Sequence, residues 1–296
     1  MAHPRRRRGE NAAGDFYVDD TCIDCDTCRW LAPETFARRG GLSAVTCQPA
    51  SGAERRRALE ALVACPTASI GTSAPAAEMP EVRAFFPLLL SDPVYYCGYH
   101  SPKSFGAASY LIRRPGGNVL VDSPRWSETL AKRLEEMGGA RYLFLTHGDD
   151  VADHQAWRDR LGCERILHAG DVGRSTRGVE RILAGEAPVA LAPDLEIVPV
   201  PGHTEGSCVL LFRDAFLFTG DHLAFSTRLG HLYAFRDACW HSWPELEKSM
   251  EKLRGYSFEW VLPGHGRRLQ AGGEAMREQL EACLRWMKTG SGDPED

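Results

Sequence analysis

The chain has 296 residues, 43% of them hydrophobic and 25% charged. This is an ordinary globular balance, and the length suits one large domain or one large plus one small. A formal net charge of −5 argues against a general nucleic-acid binder, and the longest apolar run, Phe85 to Leu90, is far too short to span a bilayer. No apolar stretch follows the run Arg5 to Arg8, so no secretory signal is read there. A cytoplasmic location is expected, with an organellar one left open, and neither nucleic acid nor membrane is expected as a partner.

Residues 1–14 read as a disordered basic tail. The stretch TCIDCDTCRWLAPETF follows, with Cys22, Cys25 and Cys28 at three-residue intervals. That spacing is cramped for a disulfide framework, while Cys163, Cys208 and Cys283 sit in apolar-patterned segments like ordinary buried thiols. The usage points to a reducing compartment and a metal cluster. Further on, a helix-like run Ala58 to Ala64 leads into Cys65-Pro66. Three thiolates at such spacing can hold three corners of an iron–sulfur cube, with backbone N–H groups donating to the sulfurs. A fourth thiolate can then arrive from a separate element.

These residues resemble a single-cluster bacterial-type ferredoxin. Two-cluster ferredoxins carry another cysteine three residues beyond the third; here that position is Ala32. The resemblance implies one [4Fe-4S] cluster on Cys22, Cys25, Cys28 and Cys65. A zinc site is the alternative, although zinc modules usually pair C-x2-C with a second C-x2-C or a His pair, absent here. Cys47 is a spare expected near the cluster; it could substitute as a ligand, with a plain buried thiol preferred. The module is placed at 15–72, and the Ala- and Pro-rich segment 73–94 reads as a linker.

From residue 95 to 290 the chain alternates strand and helix signals. ASYLIRR and NVLVD are strands joined through Pro115-Gly116-Gly117. SETLAKRLEEM is a helix with Ser127 as N-cap and Gly138-Gly139 as its stop. ARYLFLTH is a buried strand, a helix starts near Asp153, and ERILHA is a strand. LEIVPVPGH and the hairpin SCVLLFRDAFLFTGDH follow, then helix WPELEKSMEKL, strand FEWVLPGHG, and a last helix at about 273–288. Residues 291–296 read as a second disordered tail.

Four strand ends carry metal-ligand residue types: THGDDVADH, PGHTEGS, TGDH and PGHG. In this order they resemble the metallo-β-lactamase superfamily, whose first motif is H-x-H-x-D-H, followed by a lone His, a bridging Asp and a last His. The expected architecture is therefore α+β with α/β: a small ferredoxin-like domain, then an αββα sandwich. The resemblance implies His147, Asp153 and His154 from the first motif, then His203, Asp221 and His265, as ligands of two divalent metals. Zinc is the first expectation, with iron or manganese as alternatives. Asp153 and Asp221 would be the catalytic carboxylates. Asp122 in LVDSP would support the site, and His222 would lie beside it or near substrate. Asp149 stands where the family has its second histidine, in a loop two residues longer than the family pattern. Either Asp149 or Asp150 could take that place, with Asp149 preferred, or one metal could be lost; a carboxylate also occupies this position in flavodiiron proteins.

The resemblance implies a hydrolase that uses a metal-activated water on an ester, thioester, lactone or phosphoester of a small-molecule substrate. The alternative is an iron-dependent oxidoreductase of the same fold, persulfide dioxygenase-like or diiron reductase-like, fed by the cluster and served by an electron-transfer partner. A non-enzymatic sensor with a vestigial site is a third reading. Segment CWHSW reads as packing at a helix N-terminus or as an aromatic pocket lining.

Overall fold

In a computed structural model, residues 2–289 and 292 are described, so the 291–296 tail lies, apart from residue 292, outside the described residues. The chain divides into two compact units, Met1–Arg141 with Ala152–Cys163, and Tyr142–Val151 with Glu164–Asp296.

The first unit opens with β1 (Phe16–Val18), α1 (Thr27–Leu31), the hairpin β2 (Phe36–Arg39) and β3 (Leu42–Val45), α2 (Gly52–Ala64) and β4 (Ile70–Thr72). β1 and β4 pair antiparallel and so close the two ends of this stretch on each other. α2 begins where Ser51 accepts from the Glu54 N–H at 3.2 Å and Glu54 reaches back to the Ala50 N–H at 2.8 Å, a variant of the reciprocal S-x-x-E cap.

Two expectations fail in this unit. The basic segment before residue 15 is bound rather than free. Arg8 donates to the carbonyls of Ser43 and Arg39 at 2.6 and 2.8 Å, and the Asn11 amide serves both Val18 and Val45. These guanidinium and amide groups find carbonyl and strand-end partners in place of water. The supposed linker 73–94 is also structured, with α3 (Met79–Phe85), β5 (Leu88–Ser91) and the start of β6 (Val94–Tyr96). Arg55 on α2 holds Asp15 and Glu78 at 2.9 and 2.7 Å, and Val82 and Phe86 are buried.

β6 pairs antiparallel with β5 and with β7 (Tyr110–Ile112), which pairs with β8 (Val119–Val121). α4 (Glu128–Glu136) is capped by Ser127, which accepts from Leu130 N–H at 3.4 Å, and stops at Gly138 and Gly139, both left-handed. α5 (His154–Leu161) completes the unit, tied to α4 by Arg160 and Glu135 at 2.8 Å.

The second unit holds the parallel strands β9 (Tyr142–Phe144), β10 (Glu164–His168) and β11 (Arg181–Leu183). Its six-stranded sheet runs β12 (Val189–Ala192), β13 (Leu195–Pro199), β14 (Cys208–Phe212), β15 (Phe216–Gly220), then β18 (Trp260–Pro263) and β19 (Leu269–Gln270). A small hairpin, β16 (Ala224–Ser226) and β17 (His231–Tyr233), lies between β15 and β18 in sequence. β14 and β15 are buried along their whole length, which explains why CVLLF and FLFTG are apolar runs rather than alternations. The helices α6 (Trp243–Lys252) and α7 (Gly273–Thr289) pack on this core. Met276, Leu280, Cys283, Leu284 and Met287 give α7 one apolar stripe at helical spacing. Among the described residues no helix is long and apolar enough to cross a membrane.

Candidate metal centre

The second unit gathers the polar ends of four of its strands. The loop after β9 carries His147, Asp149 and Asp150; the turn after β13 carries His203; Asp221 follows β15, and His265 follows β18. His147, Asp149 and His203 bring one ligand atom each within 4.8 Å of one another, and so do His147, Asp150 and Asp221. His147 Nε2 lies 3.8 Å from Asp150 and 3.7 Å from Asp221, while His203 Nε2 lies 3.4 Å from Asp149 and 3.7 Å from Asp221. His265 Nδ1 stands 2.8 Å from Asp221 Oδ1.

Two glycines make this approach possible. Gly220 has φ +49, and a Cβ there would run into the Thr146 side chain beside His147. At Gly264 a Cβ would lie 2.9 Å from Asp150 Oδ2 and 3.0 Å from Asp221 Oδ1. Backbone without a side chain is needed where two carboxylates converge.

Asp171 holds the first two loops together. Its carboxylate accepts from Gly148 N–H at 2.7 Å, Thr204 Oγ1 at 2.6 Å and Gly206 N–H at 2.9 Å. The sequence reading missed this residue. The only available signal was indirect, since its partners lie inside the HGD and HTEGS segments. Thr146 Oγ1 meets His147 Nδ1 at 3.0 Å and fixes that ring.

The electrostatics follow from this crowding. Burial pulls His147 below the ordinary histidine value against the attraction of Asp221. His203 is also pulled down by burial, but Asp149 and Asp221 outweigh that and raise it. Asp149 is lowered by its contact with His203. Burial works to raise Asp221, yet His265 holds it well below the carboxylate range. His222, fully buried, is pushed down to about 3 by burial and by His203 and Lys252.

This donor set fits a divalent cation. The Nε2 atoms of His147 and His203 are buried and make no hydrogen bond among the described residues. They face carboxylate oxygens at 3.4–3.8 Å, a spacing suitable for donors arranged around an ion. Three imidazoles and three carboxylates form a mixed N/O set.

Asp153, expected as a ligand and catalytic carboxylate, falls in the first unit, outside the two donor groups, which also leave out His265. Its Oδ1 lies 2.7 Å from Lys103 Nζ and its Oδ2 accepts the Trp126 N–H at 2.7 Å. Burial tends to raise its pKa, but Lys103 and that N–H bring it below the usual value. Asp150, weighed in the sequence only as a stand-in for the missing histidine, occupies the second group instead. His154 is buried as the first residue of α5 and is also in neither group. Asp122, buried with φ +56, lies in the first unit.

In the first unit, Cys22, Cys25, Cys28 and Cys65 line one pocket with Val18, Thr27 and Ser69. Burial pushes the Cys25 thiol up to about 12 and also raises Cys28 well above the ordinary thiol value, so a bound cation is what would hold these sulfurs as thiolates. Four converging cysteines fit an iron–sulfur cube. Ser69 N–H donates to Cys65 Sγ at 3.2 Å. Cys47, expected near the cluster as a buried thiol, is exposed and does not line this pocket.

Residues 18–72 match the 4Fe-4S single cluster domain of Ferredoxin I. Among solved structures, the DIM-1 metallo-β-lactamase exposed to ceftazidime aligns with a TM-score of 0.55 at 18% identity, covering 69% of this chain and 96% of that one. The metallo-β-lactamase FIM-1 from Pseudomonas aeruginosa in its mono-zinc form aligns at 0.50 and 16% identity, covering 68% and 93%. The protein thus has a metallo-β-lactamase fold preceded by a single-cluster ferredoxin-type domain. In sequence it is similar to the hydroxyacylglutathione hydrolase of Anaeromyxobacter dehalogenans (strain 2CP-C), 40% identical over 118 residues, which are 39% of this chain and 45% of that relative. The chain spans about half the length of the curated relatives it matches.

Proposed function

We propose that the protein is a metal-dependent hydrolase of acyl esters or thioesters with an accessory [4Fe-4S] cluster. The observation that carries this reading is the convergence of His147, His203 and Asp221, with two imidazole Nε2 atoms aimed at carboxylate oxygens and making no hydrogen bond among the described residues. In this reading His147, Asp149 and His203 hold one ion. Asp150, Asp221 and His265 would hold a second. Cys22, Cys25, Cys28 and Cys65 hold the cluster.

A divalent metal on these donors would acidify a water molecule and polarise a carbonyl oxygen. The chain's own groups do the rest. Asp171 fixes the loops of His147 and His203, so the imidazoles are set before substrate arrives. Trp240, 68% exposed with its ring 6.3 Å from that of His203, offers an apolar face for substrate at the rim. The similarity to hydroxyacylglutathione hydrolases favours a thioester. Water adds its oxygen to the acyl carbon, the carbon–sulfur bond breaks, and an acid and a thiol leave. Zinc is the first metal to try.

Thiol release from hydroxyacylglutathione and simpler acyl thioesters by zinc-loaded protein is the test. Turnover that disappears in His203→Ala and persists in Cys25→Ser supports the reading. A metal-loaded protein inert toward every ester, thioester, lactone and phosphoester offered refutes it. One observation favours a second reading, iron-dependent redox chemistry: Asp149 in the first donor group gives a harder, more anionic site than three imidazoles. Persulfide-dependent oxygen consumption by iron-loaded protein, with no thiol release, would select it.

A further inference from the structure

His100 is fully buried, and both its ring nitrogens are engaged. Nδ1 lies 3.0 Å from Thr27 Oγ1 and Nε2 lies 2.6 Å from the Tyr96 hydroxyl. Thr27 Oγ1 in turn lies 3.5 Å from Cys25 Sγ. These four residues form a single line of hydrogen bonds that ends on the wall of the cluster pocket. Tyr96 and His100 lie outside residues 18–72, yet His100 N–H donates to Ala64 O at 3.2 Å, next to Cys65.

The direction of the line is fixed by its end. A thiolate bound to iron can only accept, so the Thr27 hydroxyl donates to Cys25. The Thr27 oxygen then accepts from His100 Nδ1–H, and Nε2 accepts from the Tyr96 O–H. A neutral imidazole satisfies every link. Three donors aligned this way polarise one another, and donors to cluster sulfurs raise the reduction potential by stabilising the added electron. Trp30 packs edge-on to Tyr96 at 5.4 Å between ring centroids, and Gly106 covers Cys25 so closely that a Cβ would lie 2.8 Å from the Cys25 Cβ.

We propose that Thr27, His100 and Tyr96 are positioning residues that set the reduction potential of the cluster, with Tyr96 and His100 reaching it from beyond the ferredoxin-type stretch. The proposal rests on the cluster reading given above. The couple adds one electron to the cluster; no bond breaks and no proton need move.

The test is a potentiometric titration of the anaerobic full-length protein with dithionite, read by electron paramagnetic resonance of the reduced cluster. Iron and sulfide content are measured alongside. Thr27→Val should shift the reduction equilibrium about tenfold toward the oxidised state, about 59 mV for one electron. Tyr96→Phe should shift it in the same direction by less, and Thr27→Ser should behave as wild type. If Thr27→Val fails to assemble a cluster, Tyr96→Phe decides, because it removes only the O–H. An equilibrium within about twofold of wild type in cluster-loaded Thr27→Val overturns the proposal, as does the same result in Tyr96→Phe. A wild-type protein without iron and sulfide would refute the cluster reading itself, a distinct outcome.

Discussion

His265 presents one ring nitrogen to both carboxylate oxygens of Asp221, at 2.8 and 2.9 Å. Asp221 also faces His147 and His203 at 3.7 Å, so three imidazoles converge on one carboxylate. Burial alone would neutralise such a group; His265 and its neighbours keep it ionised. A residue placed there can bridge two ions. Asp221→Ala should lower metal affinity by more than the 10- to 100-fold typical of an outer partner and remove thioester hydrolysis, measured by dialysis against a metal buffer and by thiol release. Unchanged affinity and full turnover would exclude a bridging role.

Asp150 and Asp153 are rival candidates for a metal-ligand role, and paired variants separate the two. Asp150→Asn should lose metal, because Asp150 is buried against His147 and close to Asp221. Asp153→Asn should keep its metal and lose stability instead, by about 1–3 kcal/mol as its contacts with Lys103 and the Trp126 N–H weaken. Metal loss in Asp153→Asn with retention in Asp150→Asn would restore the original expectation.

Gly264→Ala tests the close approach at the second donor group. The added methyl would press on Asp150 and Asp221 at 2.9 and 3.0 Å, and both are short side chains with little room to yield. A drop of about 10- to 100-fold in metal affinity is expected, comparable with losing an outer partner, with the circular dichroism spectrum unchanged. Wild-type affinity would show that the carboxylates can move aside freely.

Glu180 provides a pH test at a residue outside both donor groups and outside the cysteine pocket. Burial works to raise its pKa, but Arg165 contacts both of its oxygens at 3.0 Å and brings it from 4.5 down to about 2. Between those values the unfolded chain binds more protons than the folded one, so stability rises with pH. The contribution is fully present above the unfolded value and is lost as pH falls through the folded one. Glu180→Gln should flatten the pH dependence of the urea midpoint at about pH 3 to 5, and at neutral pH it should cost about 1.5–3 kcal/mol. An equal slope in variant and wild type would contradict this.

Local pattern carried much of the fold. Ser127 and the Gly138-Gly139 pair bound their helix as their chemistry dictates, and the ferredoxin spacing coincides with the matched domain. His203, Asp221 and His265 stand at strand ends, where the strand signals placed them. What stayed illegible depends on distant partners. Asp153 is captured by Lys103, fifty residues earlier in the chain, and no local feature of HGDDVADH favours Asp150 over it. Asp171 matters only because Gly148, Thr204 and Gly206 come to it in space. The arginines before residue 15 look like a solvated tail until Ser43 and Arg39 supply carbonyls.

The most direct measurement is metal and acid-labile sulfide content of anaerobically purified protein, with wild type beside Cys25→Ser and Asp221→Ala. Cys25→Ser should lose about four irons and about four sulfides and retain its other divalent metal. Asp221→Ala should keep the sulfide and lose that metal. A wild type without sulfide, or one substitution emptying both sites together, would contradict a cluster and a separate hydrolytic metal centre on the same chain.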